Sequence, residues 1–171
     1  GVAFRYETNV GAGLPVINTL NDLKISGDKI IRIEGVLSGT LSYIFNNFKK
    51  GTKFSQIVKD AKAKGYTEPD PRDDLSGTDV ARKILILARE VGYPIEASAV
   101  EIQQLLPSVC LEAPDVDSFF ESLEKEEYYF DNLLGEAEKQ SKVLRFIARM
   151  EDGKARVSLE LVDEGSPFYT L

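Results

Sequence analysis

The chain has 171 residues, a net charge of −7, 43% hydrophobic and 29% charged residues, and no histidine. That length suits one domain with a sizeable core, and the negative balance argues against nucleic acid or an anionic membrane as the main partner. The lone Cys110 excludes an intrachain disulfide and zinc sites built on Cys and His, and no apolar run approaches the ~18 residues of a membrane span, so a cytoplasmic setting is expected.

Taken in chain order, residues 2–6 read as a short strand and Asn9-Val10-Gly11-Ala12-Gly13-Leu14 as a glycine-rich turn. Pro15 suits the first turn of a helix to about residue 23, because the donor it lacks would be unpaired there. Residues 29–37, with Ile30, Ile31 and Ile33, predict a strand. Ser38-Gly39-Thr40 opens a helix through Phe48, and Gly51 ends it. Residues 54–64 form another helix, with Ile57, Val58 and Ala61 as its inner stripe and Gly65 as its stop.

Ser76 is the expected N-cap of the clearest helix, with Asp79 as an acidic variant of the capping box. Val80, Ile84, Leu87 and Val91 recur there at helical spacing before Gly92. Pro107 and Pro114 break the next stretch into turns. Residues 117–124 and 128–140 read as helices. Residues 143–150 and 155–162 read as two strands joined by a turn, the second alternating Val157, Leu159 and Leu161 with polar residues. The expected class is α+β, a mixed and largely antiparallel sheet with helices packed on one face. Both ends of the chain look cut, so a piece of a longer protein is expected.

One stretch concentrates the chemistry. Glu68, Asp70, Asp73, Asp74 and Asp79 fall within twelve residues, and Lys83 follows one turn after Asp79. Without histidine, proton transfer must use Lys, Asp, Glu, Tyr or the cysteine. A plain structural account exists, because carboxylates favour helix N-termini and Asp79–Lys83 could be an ordinary surface pair. Two features favour a functional one. Glu68-Pro69-Asp70-Pro71 is a stiff, extended tetrapeptide suited to aiming a carboxylate. Lys83 lies at the edge of an apolar stripe, as a positioned proton donor would. Gly11-Ala12-Gly13 is no dinucleotide fingerprint, since Val16 stands where a third glycine belongs. It is either a tight turn or a place where carbonyls converge on a cation.

The run Tyr66-Thr67-Glu68-Pro69-Asp70-Pro71-Arg72-Asp73-Asp74-Leu75-Ser76-Gly77, continuing to Asp79-Val80-Ala81-Arg82-Lys83, resembles the signature of homoserine dehydrogenases. Asn9 to Pro15 and Gly35-Val36-Leu37-Ser38-Gly39-Thr40-Leu41-Ser42-Tyr43-Ile44-Phe45-Asn46 resemble the same family, in its order and spacing. The rest is similar to the version fused behind an aspartokinase. The resemblance implies NAD(P)-dependent interconversion of L-homoserine and L-aspartate 4-semialdehyde, in threonine, methionine and isoleucine biosynthesis. It implies that Lys83 is the proton donor and that Asp79 positions lysine and substrate. Glu68 is implied as a substrate carboxylate, with Asp74, Thr40, Gly39 and Tyr66 in the same pocket.

Gly65 is implied beside the nicotinamide of NADP or NAD. Carbonyls of Glu7, Val10, Ala12 and Leu14 are implied as a monovalent cation site, usually sodium. Residues 1–171 would then be the substrate and dimerisation part of a homodimer, with a nucleotide-binding Rossmann half before it and a last strand and glycine-rich helix after it. The fragment alone is expected to be inactive. A non-catalytic dimerisation or regulatory module, or a divalent-metal site on the acidic loop, are the competing readings.

Overall fold

Among the described residues four strands build one sheet: β1 (Arg32–Gly35), β2 (Glu101–Ile102), β3 (Val143–Glu151) and β4 (Lys154–Val162), in the spatial order β1-β3-β4-β2. The computed structural model describes Val2 and residues 4–171; Gly1 and Ala3 lie outside the described residues. β3 and β4 pair antiparallel from Val143↔Val162 to Glu151↔Lys154. Asp152 and Gly153 turn between them at φ 49° and 75°, as a tight hairpin requires. β1 joins β3 antiparallel and β2 joins β4 parallel. The sheet is therefore mixed and mainly antiparallel, as expected.

The helices are α1 (Thr8–Gly11), α2 (Val16–Ile25), α3 (Gly39–Asn47), α4 (Phe54–Ala63), α5 (Pro71–Leu75), α6 (Thr78–Glu90), α7 (Ser108–Leu111), α8 (Val116–Lys125) and α9 (Glu127–Lys139). Period two aims Leu144, Phe146, Ala148 and Met150 of β3 into the core, with Ala155 and Val157 of β4. α3, α6 and α9 pack on that side. α6 contributes Val80, Ile84, Leu87 and Ala88, the helical spacing read from the sequence. Phe54 of α4 stacks on Phe130 of α9 with ring centroids 3.8 Å apart. Burying a phenylalanine of this kind contributes about 1.5–3 kcal/mol. The same α4 end is capped from a distance: Glu127 accepts the N–H groups of Phe54 and Ser55, both at 2.9 Å.

The other sheet face carries Arg145 and Arg149 of β3 on either side of the buried Ile147. Arg149 lies 2.6 Å from Glu34 and 3.0 Å from Glu160. Arg145 is only 5% exposed and has no carboxylate within ion-pair distance among the described residues. Its guanidinium donates instead to the carbonyls of Leu144, Phe168 and Tyr169 at 2.8–2.9 Å and of Leu171 at 3.4 Å. Burial pulls its pKa below the usual guanidinium value, and the carbonyls offset a desolvation cost of several kcal/mol.

Several sequence expectations are corrected. Val2 and residues 4–6 are not in a strand, and Ala3 lies outside the described residues. Part of the expected glycine turn is the helix α1. The strand expected over 29–37 narrows to Arg32–Gly35, because Ile31 is 61% exposed and finds no core to enter. β2 was not foreseen: two residues show no period.

Candidate active site

α6 enters the site through a corner. Gly77 sits in the left-handed region at φ 71°, and a Cβ there would lie 2.9 Å from the Phe146 ring. Only glycine fits that approach. The expected Ser76 cap is thus corrected, because Gly77 holds the cap position without a side-chain bond. Ser76 follows α5, where its Oγ donates to Asp73 O at 2.8 Å and accepts from Thr78 Oγ1 at 2.9 Å and from the Thr78 N–H at 3.2 Å. Asp79 closes no capping box; its carboxylate goes to Lys83.

Lys83 Nζ lies 2.8 Å from Asp79 Oδ2 and donates to the Leu37 carbonyl at 2.9 Å. Its side chain is 22% exposed, whereas that of Asp79 is 63% exposed. Leu37 immediately precedes the N-terminus of α3, where Ser38 accepts the Leu41 N–H at 3.1 Å. Gly39 and Thr40 form the first turn of α3, and Thr40 Oγ1 donates to the Tyr66 carbonyl at 2.5 Å. Two residues on, the Glu68 N–H donates to Asp74 Oδ2 at 2.8 Å.

A cleft of about 380 Å³ lies between this loop and the start of α6, lined by Glu68, Asp73, Asp74, Ser76, Thr78, Asp79 and Arg82. A second depression, about 480 Å³, is lined by Gly39, Thr40, Tyr43 and Tyr66. The Tyr43 and Tyr66 rings meet edge-on at 5.0 Å. Lys64 Nζ lies 2.7 Å from the Tyr43 hydroxyl, which raises the lysine's pKa. Gly65 turns at φ 71°, with open space where a Cβ would be.

The structure therefore connects Lys83, Asp79, Gly39, Thr40, Gly65, Tyr66, Glu68 and Asp74 through short contacts or chain neighbours. In the sequence, Asp73 belongs to the acidic cluster without a role of its own, Ser76 is given only that of a helix cap, and none is given to Thr78 or Arg82. Helical spacing offered a signal for the last two, since Thr78 and Arg82 are four apart on one face.

Asp70 is not aimed at the cleft. It caps α5 by accepting the Arg72 N–H at 3.0 Å and binds the Arg72 side chain at 2.9 and 2.5 Å. The guanidinium also donates to Ala113 O at 2.5 Å and sits over the Phe119 ring. That contact with Arg72 holds the Asp70 carboxyl below the usual range. The stiff Pro69-Asp70-Pro71 segment thus becomes a helix start, with Pro71 in the first turn of α5.

Glu7, Val10, Ala12 and Leu14 lie apart from the cleft, on α1 and the turn into α2. The Glu7 carboxylate accepts the N–H groups of Ile17 and Asn18 at 2.6 and 3.0 Å, capping α2 where Pro15 cannot. The Glu7 carbonyl accepts from Val10 and Gly11 at 3.3 and 3.4 Å, and Leu14 O accepts from Val16 at 2.9 Å. Ala12 holds φ 50° without being glycine, a conformation costing on the order of 1–3 kcal/mol that often marks function. Among the described residues, no group of three or more Cys, His, Asp or Glu could hold a metal ion. The divalent-metal reading of the acidic loop gains no support. Cys110 is fully buried and its thiol is pushed up to about 11 by burial, so it is inert. No helix among the described residues is long and apolar enough to cross a membrane.

The homoserine dehydrogenase family model matches residues 15–171. A Schizosaccharomyces pombe homoserine dehydrogenase is 48% identical, over 100% of this chain and 48% of that protein. A Haemophilus influenzae bifunctional aspartokinase/homoserine dehydrogenase is 46% identical, over 97% of this chain and 20% of that protein. The chain thus spans from about a fifth to about half of these relatives' length. A crystal structure of a Candida auris protein of unknown function superposes with a TM-score of 0.91 at 40% identity, over 97% of this chain and 48% of that one. A hyperthermophilic archaeal homoserine dehydrogenase in complex with NADPH shares the fold, with a TM-score of 0.65 at 23% identity, over 95% of this chain and 41% of that one.

Proposed function

Because the chain belongs to the homoserine dehydrogenase family, we propose that it supplies the substrate site and proton donor for NAD(P)-dependent interconversion of L-aspartate 4-semialdehyde and L-homoserine. The observation that carries this reading is the environment of Lys83. An ammonium has three donors. Two are directed at Asp79 and the Leu37 carbonyl, and the third is left for a substrate oxygen.

A dihydronicotinamide cofactor, when bound, would supply the hydride for reduction of the aldehyde carbon. Lys83 holds the aldehyde oxygen, stabilises the negative charge that grows on it, and gives it the proton. Asp79 holds the lysine ammonium in place, turned toward that oxygen. The Glu68 carboxylate takes the substrate ammonium, a charge-assisted contact. Asp74 fixes the backbone of Glu68 and so its aim.

The residues also suit the cofactor. Gly65 leaves open space beside the depression of Gly39, Thr40, Tyr43 and Tyr66, which would admit a flat ring, and the phosphate-binding part would come from a Rossmann half elsewhere in the protein. Carbonyls of Glu7, Val10, Ala12 and Leu14 are hard oxygen donors of the type a monovalent cation such as sodium prefers; the strained φ of Ala12 supports that assignment.

The same proposal includes a homodimer formed through the sheet, whose short outer strands β1 and β2 each pair with one neighbouring strand among the described residues, a role in amino-acid biosynthesis, and a cytoplasmic setting. The test is a spectrophotometric assay of the full-length protein with NADPH and aspartate semialdehyde, then with NADH. Turnover with either cofactor is expected; none with both would overturn the reading.

A further inference from the structure

The charges lining the cleft are not all committed. Asp74 accepts the Glu68 N–H, and Asp79 pairs with Lys83. The carboxylates of Glu68 and Asp73 take part in no ion pair or side-chain hydrogen bond among the described residues, and neither does the Arg82 guanidinium. Among the described residues Arg82 is also the sole cation lining the cleft. It stands on α6 three residues after Asp79 and four after Thr78, on the exposed face opposite Val80, Ile84 and Leu87. Uncommitted charges of both signs around one cleft match a zwitterion, with a cationic and an anionic end on the same small molecule.

Resting on the proposed function, we infer that Arg82 is a specificity-determining residue that receives the α-carboxylate of the amino-acid substrate, while Glu68 and Asp73 face its ammonium. Lys83 cannot serve both ends, because its remaining donor belongs to the reacting oxygen. Without Arg82 a substrate carboxylate would enter a cleft lined by four carboxylates and be repelled. A guanidinium presents a planar pair of donors that fits a carboxylate in two parallel bonds. Arg82 therefore converts an acidic cleft, which would favour any amine, into one that demands an amino acid.

The test compares L-homoserine with L-homoserinamide, in which a neutral amide replaces the carboxylate, as oxidation substrates of the full-length enzyme. For Arg82→Gln, the homoserine KM should rise roughly tenfold to a hundredfold with kcat little changed. The homoserinamide KM should move less than twofold. Arg82→Lys should recover part of the loss, and both variants should keep the wild-type melting temperature because the side chain is exposed. An unchanged homoserine KM in Arg82→Gln, or an equal rise for both substrates, would overturn the assignment. Absence of homoserine turnover in the wild-type enzyme would instead remove the functional reading beneath it.

Discussion

Lys83 Nζ lies 2.8 Å from Asp79 Oδ2 across one turn of α6, and the same nitrogen ties that helix to the Leu37 carbonyl before α3. An exposed i,i+4 pair contributes only about 0.3–0.5 kcal/mol to stability. Its value is positional: it ties α6 to the segment that leads into α3.

Replacing Lys83 by alanine in the full-length enzyme should therefore separate activity from folding. Loss of a general acid lowers turnover by roughly 10²–10⁴-fold. Thermal unfolding should shift only slightly, since the lost contacts are one partly exposed pair and one hydrogen bond. Near-normal kcat in Lys83→Ala would remove it from the proton-donor role.

Glu68→Gln should act on affinity more than on hydride transfer. A charge-assisted hydrogen bond contributes about 1.5–3 kcal/mol, or on the order of tenfold to a hundredfold in affinity. The contact of Asp74 is with the Glu68 backbone, so the loop should persist in the variant. Single-turnover kinetics would check this; an unaltered substrate affinity would show that Glu68 does not hold the ammonium.

Gly77→Ala should destabilise the chain strongly. The added methyl meets the Phe146 ring at 2.9 Å and the backbone holds φ 71°. Overpacking of this kind costs about 1–3 kcal/mol, and left-handed backbone adds about 1 kcal/mol or more. Urea unfolding measures the sum, and a midpoint equal to that of the parent chain would contradict this packing.

The Asp70–Arg72 pair makes a pH-dependent contribution. The Asp70 pKa is lowered in the folded state, first by its hydrogen bond with Arg72, so folding favours the ionised form. That contribution is complete above the unfolded carboxylate value of about 3.9 and is lost as pH falls through the lowered folded value. The stability difference between wild type and Asp70→Asn should therefore be largest near about pH 6 and shrink toward about pH 2. Urea titrations at both values check it, and a difference that grew on acidification would have the wrong sign.

Strong periods in the sequence predicted elements well. The stripe of α6, the long helices and the hairpin of β3 and β4 all follow from spacing that local physics enforces. Short or context-made elements were hidden. β2 has two residues and exists because β4 offers it a parallel edge. α1 and α5 are too short for a period to show. The acidic loop was legible as a cluster but not in its division of labour. Asp70 and Asp74 look alike in sequence, yet Asp70 is claimed by Arg72 and Asp74 by the Glu68 backbone. Only the three-dimensional path of the loop sorts a structural carboxylate from one in the cleft. Nor could spacing reveal that Lys83 reaches Leu37, 46 residues away.

Arg145 fixes where this unit can be cut. Three of its four carbonyl partners, Phe168, Tyr169 and Leu171, belong to a tail that forms neither strand nor α-helix. A designer who trimmed the chain at the last strand, judging the tail dispensable, would leave the guanidinium with the Leu144 carbonyl alone of its four acceptors. The practical boundary of the folding unit therefore extends past β4, and any transplant of this sheet into another protein must carry the tail or replace Arg145 with a neutral residue of similar volume.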